Sequence, residues 1–316
     1  VVTAVIACIG FGMLYSAADG NMEPWASRQI FRFMVGLILV LVIAVVDIRI
    51  WMHSAYLIYA LALSTLVAVE TFGFIGMGAQ RWIYLGWFQL QPSELMKIAL
   101  VMALARYFHS TALDDARRPI LLVVPVLMVL APIGLVLRQP DLGTAAMLVV
   151  GAGAVFFVSG VAIRYFLIGG AIAVSAVPIA WQFLRDYQRE RILTFLNPEA
   201  DPLGAGYHIL QSKIALGSGG LFGRGFMHGT QSHLNFLPEH QTDFIFTMLA
   251  EELGLVGALV LLLLYLFLFA YGFAISLRSR NHFGRLLGIG LTTTLFLYVF
   301  INIAMVTGLI PVVGIP

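Results

Sequence analysis

The chain has 316 residues, 60% of them hydrophobic and only 11% charged, with a mean hydropathy of +0.95. Soluble globular domains carry about 25% charged residues, so this composition excludes one and describes a protein that lives in a bilayer. The near balance of 18 basic and 16 acidic residues, net +2, offers no basic field for nucleic acid, and the single cysteine, Cys8, excludes a disulfide framework or a cysteine-rich metal site.

One bilayer crossing takes about 20 apolar residues. Walking the chain gives nine hydrophobic segments: residues 1–15, 30–46, 55–69, 95–108, 119–137, 142–163, 165–184, 253–277 and 286–309. The fourth has Lys97 inside it. Closed barrels show alternating segments of about ten residues instead, so the predicted fold is all-α: a polytopic integral membrane helical bundle in one domain, residues 1–316. The chain opens inside an apolar stretch without an initiator Met and closes on Val312 to Pro316, so both ends read as cut.

Orientation follows from the basic residues of the connecting loops. Short loops on one side carry eight: Arg49, Arg106, Arg117, Arg118, Arg164, Arg278, Arg280 and Arg285. The other side has ten, of which Arg185, Arg189, Arg191, Lys213 and Arg224 lie in one long connection, leaving five in short loops. Eight against five places the long connection outside the cell.

That connection, residues 185–243, is far longer than the usual few residues, and such loops are functional or disordered. Tyr187, Ile192, Phe195, Tyr207, Ile214, Phe222 and Phe236 give it apolar material to bury, which argues against disorder. Its glycine run, Gly217-Ser218-Gly219-Gly220-Leu221-Phe222-Gly223-Arg224-Gly225, matches neither GxGxxG nor a Walker loop. It reads as a flexible turn.

The loop ends in Leu237-Pro238-Glu239-His240-Gln241-Thr242-Asp243 before the chain re-enters apolar sequence. Thr242 is a candidate helix cap, which puts Asp243 in a first turn where the helix dipole favours a carboxylate. The functional alternative is a general base at the bilayer edge, since intramembrane ionisable groups are functional candidates by default. Composition weighs the two equally. Glu251 falls about 12 Å further along the same helix, too far for a shared proton. Glu252 is expected to be a solvated cap residue, and Glu251 is left open.

A second charged cluster comprises Arg81-Trp82 and Gln91-Pro92-Ser93-Glu94-Leu95-Met96-Lys97. Pro92 suits a helix start, and Glu94 and Lys97 are i, i+3 neighbours able to form an ion pair. Against a purely structural pair, a lysine three residues into an apolar span is expensive unless something anionic needs it. Arg138-Gln139-Pro140-Asp141 repeats the theme. The seven histidines lack HExxH spacing, and His228, His233 and His240 are not expected to hold a metal. Trp82, Tyr84, Trp87 and Phe88 suit an interfacial belt.

These stretches, together with Gly78 to Ile83, Gln139 to Thr144, Asp243 to Phe246 and Glu251-Glu252-Leu253-Gly254, resemble the SEDS family (shape, elongation, division and sporulation) over nearly the whole chain. Gln188 to Pro198 and Thr230 to Phe236 are more similar to its elongation branch than to its division branch. The resemblance implies a bacterial inner-membrane peptidoglycan glycosyltransferase of about ten helices, nine of which have a segment here. Its large loop and active site would face the periplasm or cell exterior. It implies Asp243 as the catalytic residue, acting as general base, and places Gln91 and His240 among the substrate-binding positions.

The implied reaction polymerises lipid II during cell elongation. A sugar 4-hydroxyl displaces a diphosphate with inversion, which needs a base and cations near the leaving group. Arg81, Lys97, Arg138, Arg191 and Lys213 are the candidates for diphosphate contacts. Glu94 and Asp141 would position Lys97 or Arg138, or hold a divalent cation, Mg2+ or Mn2+, a choice the sequence leaves open. The lipid tail would lie in an apolar groove between helices, and Gly151, Gly153, Gly169 and Gly170 would either line it or, the favoured role, pack helices. The family further implies a class B penicillin-binding protein as transpeptidase partner, with other elongation-complex membrane proteins. A partner helix docking on residues 286–309 would use Asn302 as an interhelical hydrogen-bonding group. The alternatives are a lipid II flippase and a non-catalytic scaffold, but charge clustered on one face suits one-sided chemistry better than transport.

Overall fold

The structure, a computed structural model, describes residues 1–72, 74–76, 79–84, 89–111, 118–184, 186–197, 205–230 and 241–311. Each of the nine hydrophobic segments falls on a helix: α1 (Val2–Ala17), α2 (Ala26–Val45), α3 (Ile48–Phe72), α4 (Pro92–His109), α5 (Pro119–Arg138), α6 (Leu142–Val158), α7 (Ile163–Phe183), α10 (Ile245–Arg278) and α11 (His282–Val306). Five of these, α2, α3, α5, α10 and α11, are long and apolar enough to cross a membrane by length and composition. Helices α1, α6 and α7 contribute shorter apolar stretches, and α4 carries Glu94 in its first turn with Arg106 and His109 in its last, matching the helix dipole at both ends.

Two features lie between the apolar helices. The long connection contains α8 (Asp186–Leu196) and α9 (Ala205–Ser218), so its apolar residues do build structure. Between α3 and α4, three short strands, β1 (Phe74–Gly76), β2 (Ala79–Tyr84) and β3 (Gln89–Leu90), form an antiparallel sheet in that order, with Ile75 opposite Gln80 and Ile83 opposite Leu90. The hydrophobic pattern gave no notice of this sheet. Trp82 lies on β2, whereas Trp87 and Phe88 of the expected aromatic belt fall outside the described residues.

The chain divides into two compact units. One comprises Val1–Val45, Val177–Ala270 and Tyr298–Pro316. Its core joins Met13 and Ala17 of α1, Ala215 of α9, Phe244, Met248 and Leu249 at the start of α10, and Met305 and Val306 of α11. The other comprises Val46–Ala176 and Tyr271–Leu297. Its core runs through Leu66 of α3, Met96, Leu100, Leu104 and Phe108 of α4, Leu148 and Val155 of α6, and Phe283 and Leu286 of α11. Here Gly151 sets a close approach, since a Cβ would stand 3.2 Å from Thr294 Oγ1, while Gly153, Gly169 and Gly170 face open space among the described residues. Packing thus accounts for one of the four glycines.

The glycine run is not a flexible turn. Helix α10 is broken at Gly254, which takes φ +68°, a conformation that favours glycine. An unbroken helix would pair the N–H groups of Leu255 and Val256 with the carbonyls of Glu251 and Glu252. The break separates all four groups, and the glycine run takes them up. Leu255 and Val256 donate to the carbonyls of Gly220 and Leu221 at 2.9 and 3.1 Å, while Arg224 and Gly225 donate to those of Glu251 and Glu252, both at 3.0 Å. At Gly219 and Gly223 only a residue without a side chain permits this approach. A Cβ on Gly219 would lie 2.1 Å from the carbonyl oxygen of Ala250, and one on Gly223 would lie 2.0 Å from that of Glu252.

Candidate functional site

The charged residues singled out from the sequence gather in two places, one in each unit. In the first unit, residues 241–244 form a turn ahead of α10, with Ile245 N–H bonded to the Thr242 carbonyl at 3.3 Å. Asp243 is half-buried in this turn and lies two residues before the helix rather than in its first turn. Its backbone carbonyl accepts a hydrogen bond from Asn302 Nδ2 of α11 at 3.1 Å. Asn302 was expected to face a partner helix; instead it is spent inside the chain, because an amide in an apolar helix is stabilised by the nearest available acceptor.

Below this turn lies a buried polar junction that sequence reasoning missed. The Ser212 hydroxyl of α9 stands 2.9 Å from Thr247 Oγ1 of α10 and donates to the Val306 carbonyl of α11 at 2.8 Å, with Ser212 and Thr247 both wholly buried. Three helices are thereby keyed together next to the turn that carries Asp243. The available signal was the presence of hydroxyls and an amide, Thr247 and Asn302, inside otherwise apolar runs, since buried polar groups need partners.

Glu252 departs from expectation, and Glu251, which the sequence left open, is settled with it. Neither is a solvated cap; both are wholly buried. Glu252 accepts from Ser16 Oγ of α1 at 2.6 Å and from the Met227 N–H at 3.1 Å. Glu251 Oε1 accepts from the Thr230 N–H at 2.7 Å and from its hydroxyl at 3.1 Å. Burial of a carboxylate is tolerable when several donors surround it.

In the second unit, Asp141 caps α6. It accepts from the Thr144 N–H at 3.0 Å and from the Thr144 hydroxyl at 2.9 Å. Arg81 on β2 reaches the same turn: Nε donates to the Gln139 carbonyl at 3.2 Å, one terminal nitrogen donates to that of Pro140 at 2.8 Å, and the other stands 3.6 Å from Asp141. The sheet thus presents an arginine to the α5–α6 turn. Arg138 beside it is exposed and lies 3.9 Å from Glu70 of α3.

Lys97 and Glu94 form the anticipated i, i+3 ion pair at 2.6 Å. The pair is asymmetric. Lys97 is only 2% exposed, against 34% for Glu94, and the ammonium also lies 3.8 Å from the sulfur of Met147 on α6. One turn earlier, Gln91 is buried at the start of α4, and its Oε1 has no hydrogen-bond partner among the described residues. A buried amide oxygen with no partner among the described residues is an acceptor still to be satisfied.

The structure therefore brings Arg81 to Asp141 and Lys97 to Glu94. Lys213 is exposed on α9, and Arg191 lies on α8 with its side chain outside the described residues, as is His240 altogether. Of the three histidines weighed as metal ligands, His228 has Nδ1 2.7 Å from the Phe226 carbonyl, and His233 and His240 lie outside the described residues. Among the described residues no group of three or more His, Cys, Asp or Glu is placed to hold a metal ion. Glu94 and Asp141 are engaged by Lys97 and by Thr144 with Arg81, which does not make them an open oxygen cage.

Comparison with known proteins accords with this architecture. The chain is 46% identical over 310 residues to the peptidoglycan glycosyltransferase MrdB of Escherichia coli K12, covering 96% of this chain and 83% of the relative. It is 36% identical over 327 residues to the stage V sporulation protein E of Bacillus subtilis, covering all of this chain and 88% of that one. Among solved structures it superposes with TM-score 0.84 and 33% identity on a chain from work titled "Structural coordination of polymerization and crosslinking by a peptidoglycan synthase complex", covering 99% of this chain and 88% of the other. The rod shape determining protein RodA of Thermus thermophilus follows at TM-score 0.69 and 30% identity, with 96% and 82% covered. The apolar helices found among the described residues in the expected order, the keyed turn at Asp243 and the Arg81–Asp141 corner thus belong to a multi-pass membrane protein. The model of the FtsW, RodA and SpoVE cell cycle proteins matches residues 1–316, and the chain belongs to that family.

Proposed function

We propose that this chain is a peptidoglycan glycosyltransferase that polymerises lipid II during cell elongation, working on the extracytoplasmic side of the bacterial inner membrane. Identity of 46% to an enzyme of that name over 96% of the chain supports the activity. The observation that carries the catalytic assignment is Asp243: a half-buried carboxylate-bearing residue at the head of a membrane helix, whose backbone is held by Asn302 at 3.1 Å.

In the proposed reaction the 4-hydroxyl of one saccharide loses its proton to the Asp243 carboxylate as its oxygen bonds to the anomeric carbon of the other. The bond from that carbon to the diphosphate breaks, and the lipid diphosphate leaves with the electron pair. Attack opposite the leaving group turns an α-linked donor into a β-linked product. General base assistance of this kind contributes roughly 10² to 10⁴ in rate. Negative charge grows on the leaving diphosphate, and preorganised cations stabilise it most where water is excluded. Lys97, buried and already desolvated, is assigned that work, with Arg138, Arg191 and Lys213 offering further contacts. Arg81 has its guanidinium committed to the α5–α6 turn, so it is assigned to positioning. Gln91 Oε1, without a partner among the described residues, suits a sugar hydroxyl or amide donor.

The same reading takes a class B penicillin-binding protein as partner, together with other membrane proteins of the elongation complex. The test is to purify the protein with its transpeptidase partner, supply labelled lipid II, and compare glycan made by wild type and Asp243→Asn. Glycan from wild type alone, with both proteins folded, is the expected result. Equal glycan from both removes Asp243 as the base, and none from either favours the flippase or scaffold.

A further inference from the structure

Two wholly buried carboxylates on α10 play no part in the chemistry above. They lie beside the break at Gly254, and both point their acceptors at the same short stretch of the extracytoplasmic connection. Glu252 Oε2 takes the Met227 N–H at 3.1 Å, and Glu251 Oε1 takes the Thr230 N–H at 2.7 Å. The Thr230 hydroxyl adds a contact to Glu251 at 3.1 Å and accepts from Arg224 at 2.8 Å. Chain order gives this arrangement a meaning. In sequence Thr230 stands thirteen residues ahead of Asp243, whose carbonyl is held by Asn302.

We propose that Glu251 and Glu252 are positioning residues for the Asp243 segment, fastening the chain at Met227 and Thr230 so that the stretch between Thr230 and Asp243 is tied at both ends. The proposal rests on the reading of Asp243 as the base. A purely structural helix would bury leucine at these places, since a carboxylate costs desolvation wherever it is buried. What a carboxylate offers instead is an acceptor for the backbone N–H groups of Met227 and Thr230, with a geometry that a methyl group cannot supply. The glycine run does the coarse work of docking this connection onto α10, and the two carboxylates fix it further along, at Met227 and Thr230. Ser16 of α1, donating to Glu252 at 2.6 Å, holds that carboxylate in its rotamer from the opposite side.

The test compares Glu251→Met, which keeps side-chain length but removes the acceptor, with Glu251→Gln, which keeps Oε1. Both are made in the full chain, purified with the transpeptidase partner, and assayed for glycan formation from lipid II and for amide hydrogen exchange in peptides spanning residues 226–230. Glu251→Met is expected to lower kcat by about 10², the loss typical of misplacing a catalytic group by about 1 Å, with KM for lipid II within about twofold. Exchange at Thr230 should accelerate, and Glu251→Gln should restore most of both. A folded Glu251→Met with wild-type kcat, unchanged exchange, or a Gln variant no better than Met overturns the proposal. Should Glu251→Met fail to fold, Thr230→Val replaces it by deleting the hydroxyl contact; a wild-type kcat there, with Thr230→Ser no different from it, overturns the proposal equally. Asp243→Asn is run alongside: glycan from that variant defeats the catalytic reading, whereas the exchange result judges the fastening by itself.

Discussion

Asn302 of α11 donates its side-chain amide to the backbone carbonyl of Asp243 at 3.1 Å. The contact links the last apolar helix to the one carboxylate that the family resemblance marks as catalytic. It acts on the backbone and therefore sets where the residue stands, leaving its carboxylate to other contacts.

Asn302→Leu removes that donor and leaves a carbonyl in an apolar setting, a loss of about 1 to 3 kcal/mol. Glycan synthesis is expected to fall on the order of tenfold or more, because small displacements of a catalytic group are costly. Co-purification with the transpeptidase should be unchanged, since the side chain is used inside the chain. Pull-down and glycan assays on one preparation check both halves.

The Glu94–Lys97 pair predicts an unequal response. Glu94→Gln takes the anion from an ammonium that is 2% exposed, and breaking one side of such a pair costs about 3 to 5 kcal/mol. Lys97→Met leaves behind a carboxylate that water already reaches, at 34% exposure, and should unfold at a higher temperature than Glu94→Gln. Its glycan synthesis is nevertheless expected to be lost. Thermal unfolding in detergent, read beside polymerisation, separates the two effects.

At the α10 break, Gly223→Ala and Gly254→Ala should each destabilise the protein, for a Cβ would stand 2.0 Å from the Glu252 carbonyl oxygen in the first and 2.3 Å from the Gly223 nitrogen in the second. Each combines overlap with a positive φ, 81° at Gly223 and 68° at Gly254, a strain of about 1 to 3 kcal/mol by conformation alone. Gly217→Ala is the control. It lies within α9 with nothing within 4 Å of its Cβ, and alanine there should raise stability by about 0.5 to 1 kcal/mol. Unfolding temperatures of the three variants decide the matter.

Asp141→Ala removes the cap of α6 and the anion beside Arg81, an expected loss of about 0.5 to 2 kcal/mol for the cap. Asp141→Asn keeps an oxygen for the Thr144 N–H and should recover most of that stability. If the corner serves only to shape the turn, Asn should also recover glycan synthesis, which the same polymerisation assay measures.

The amino-acid order alone was enough for the bundle and its family. Runs of about 20 apolar residues can only be membrane helices, because every backbone group must be satisfied inside a bilayer, and each run found its helix. Local spacing was equally sufficient for the Glu94–Lys97 pair, since i, i+3 neighbours share a face whatever the tertiary fold. Other features depended on residues far apart in the chain. The glycine run read as a loose turn because its partner, the broken helix at Gly254, lies some thirty residues on. Glu252 looked like a solvated cap because nothing local announces that Ser16 and Met227 converge on it. Asn302 looked like a docking group because its acceptor is a backbone carbonyl, which carries no mark in a sequence. Backbone hydrogen bonds between distant segments depend on where the chain passes itself, and only the tertiary structure decides that.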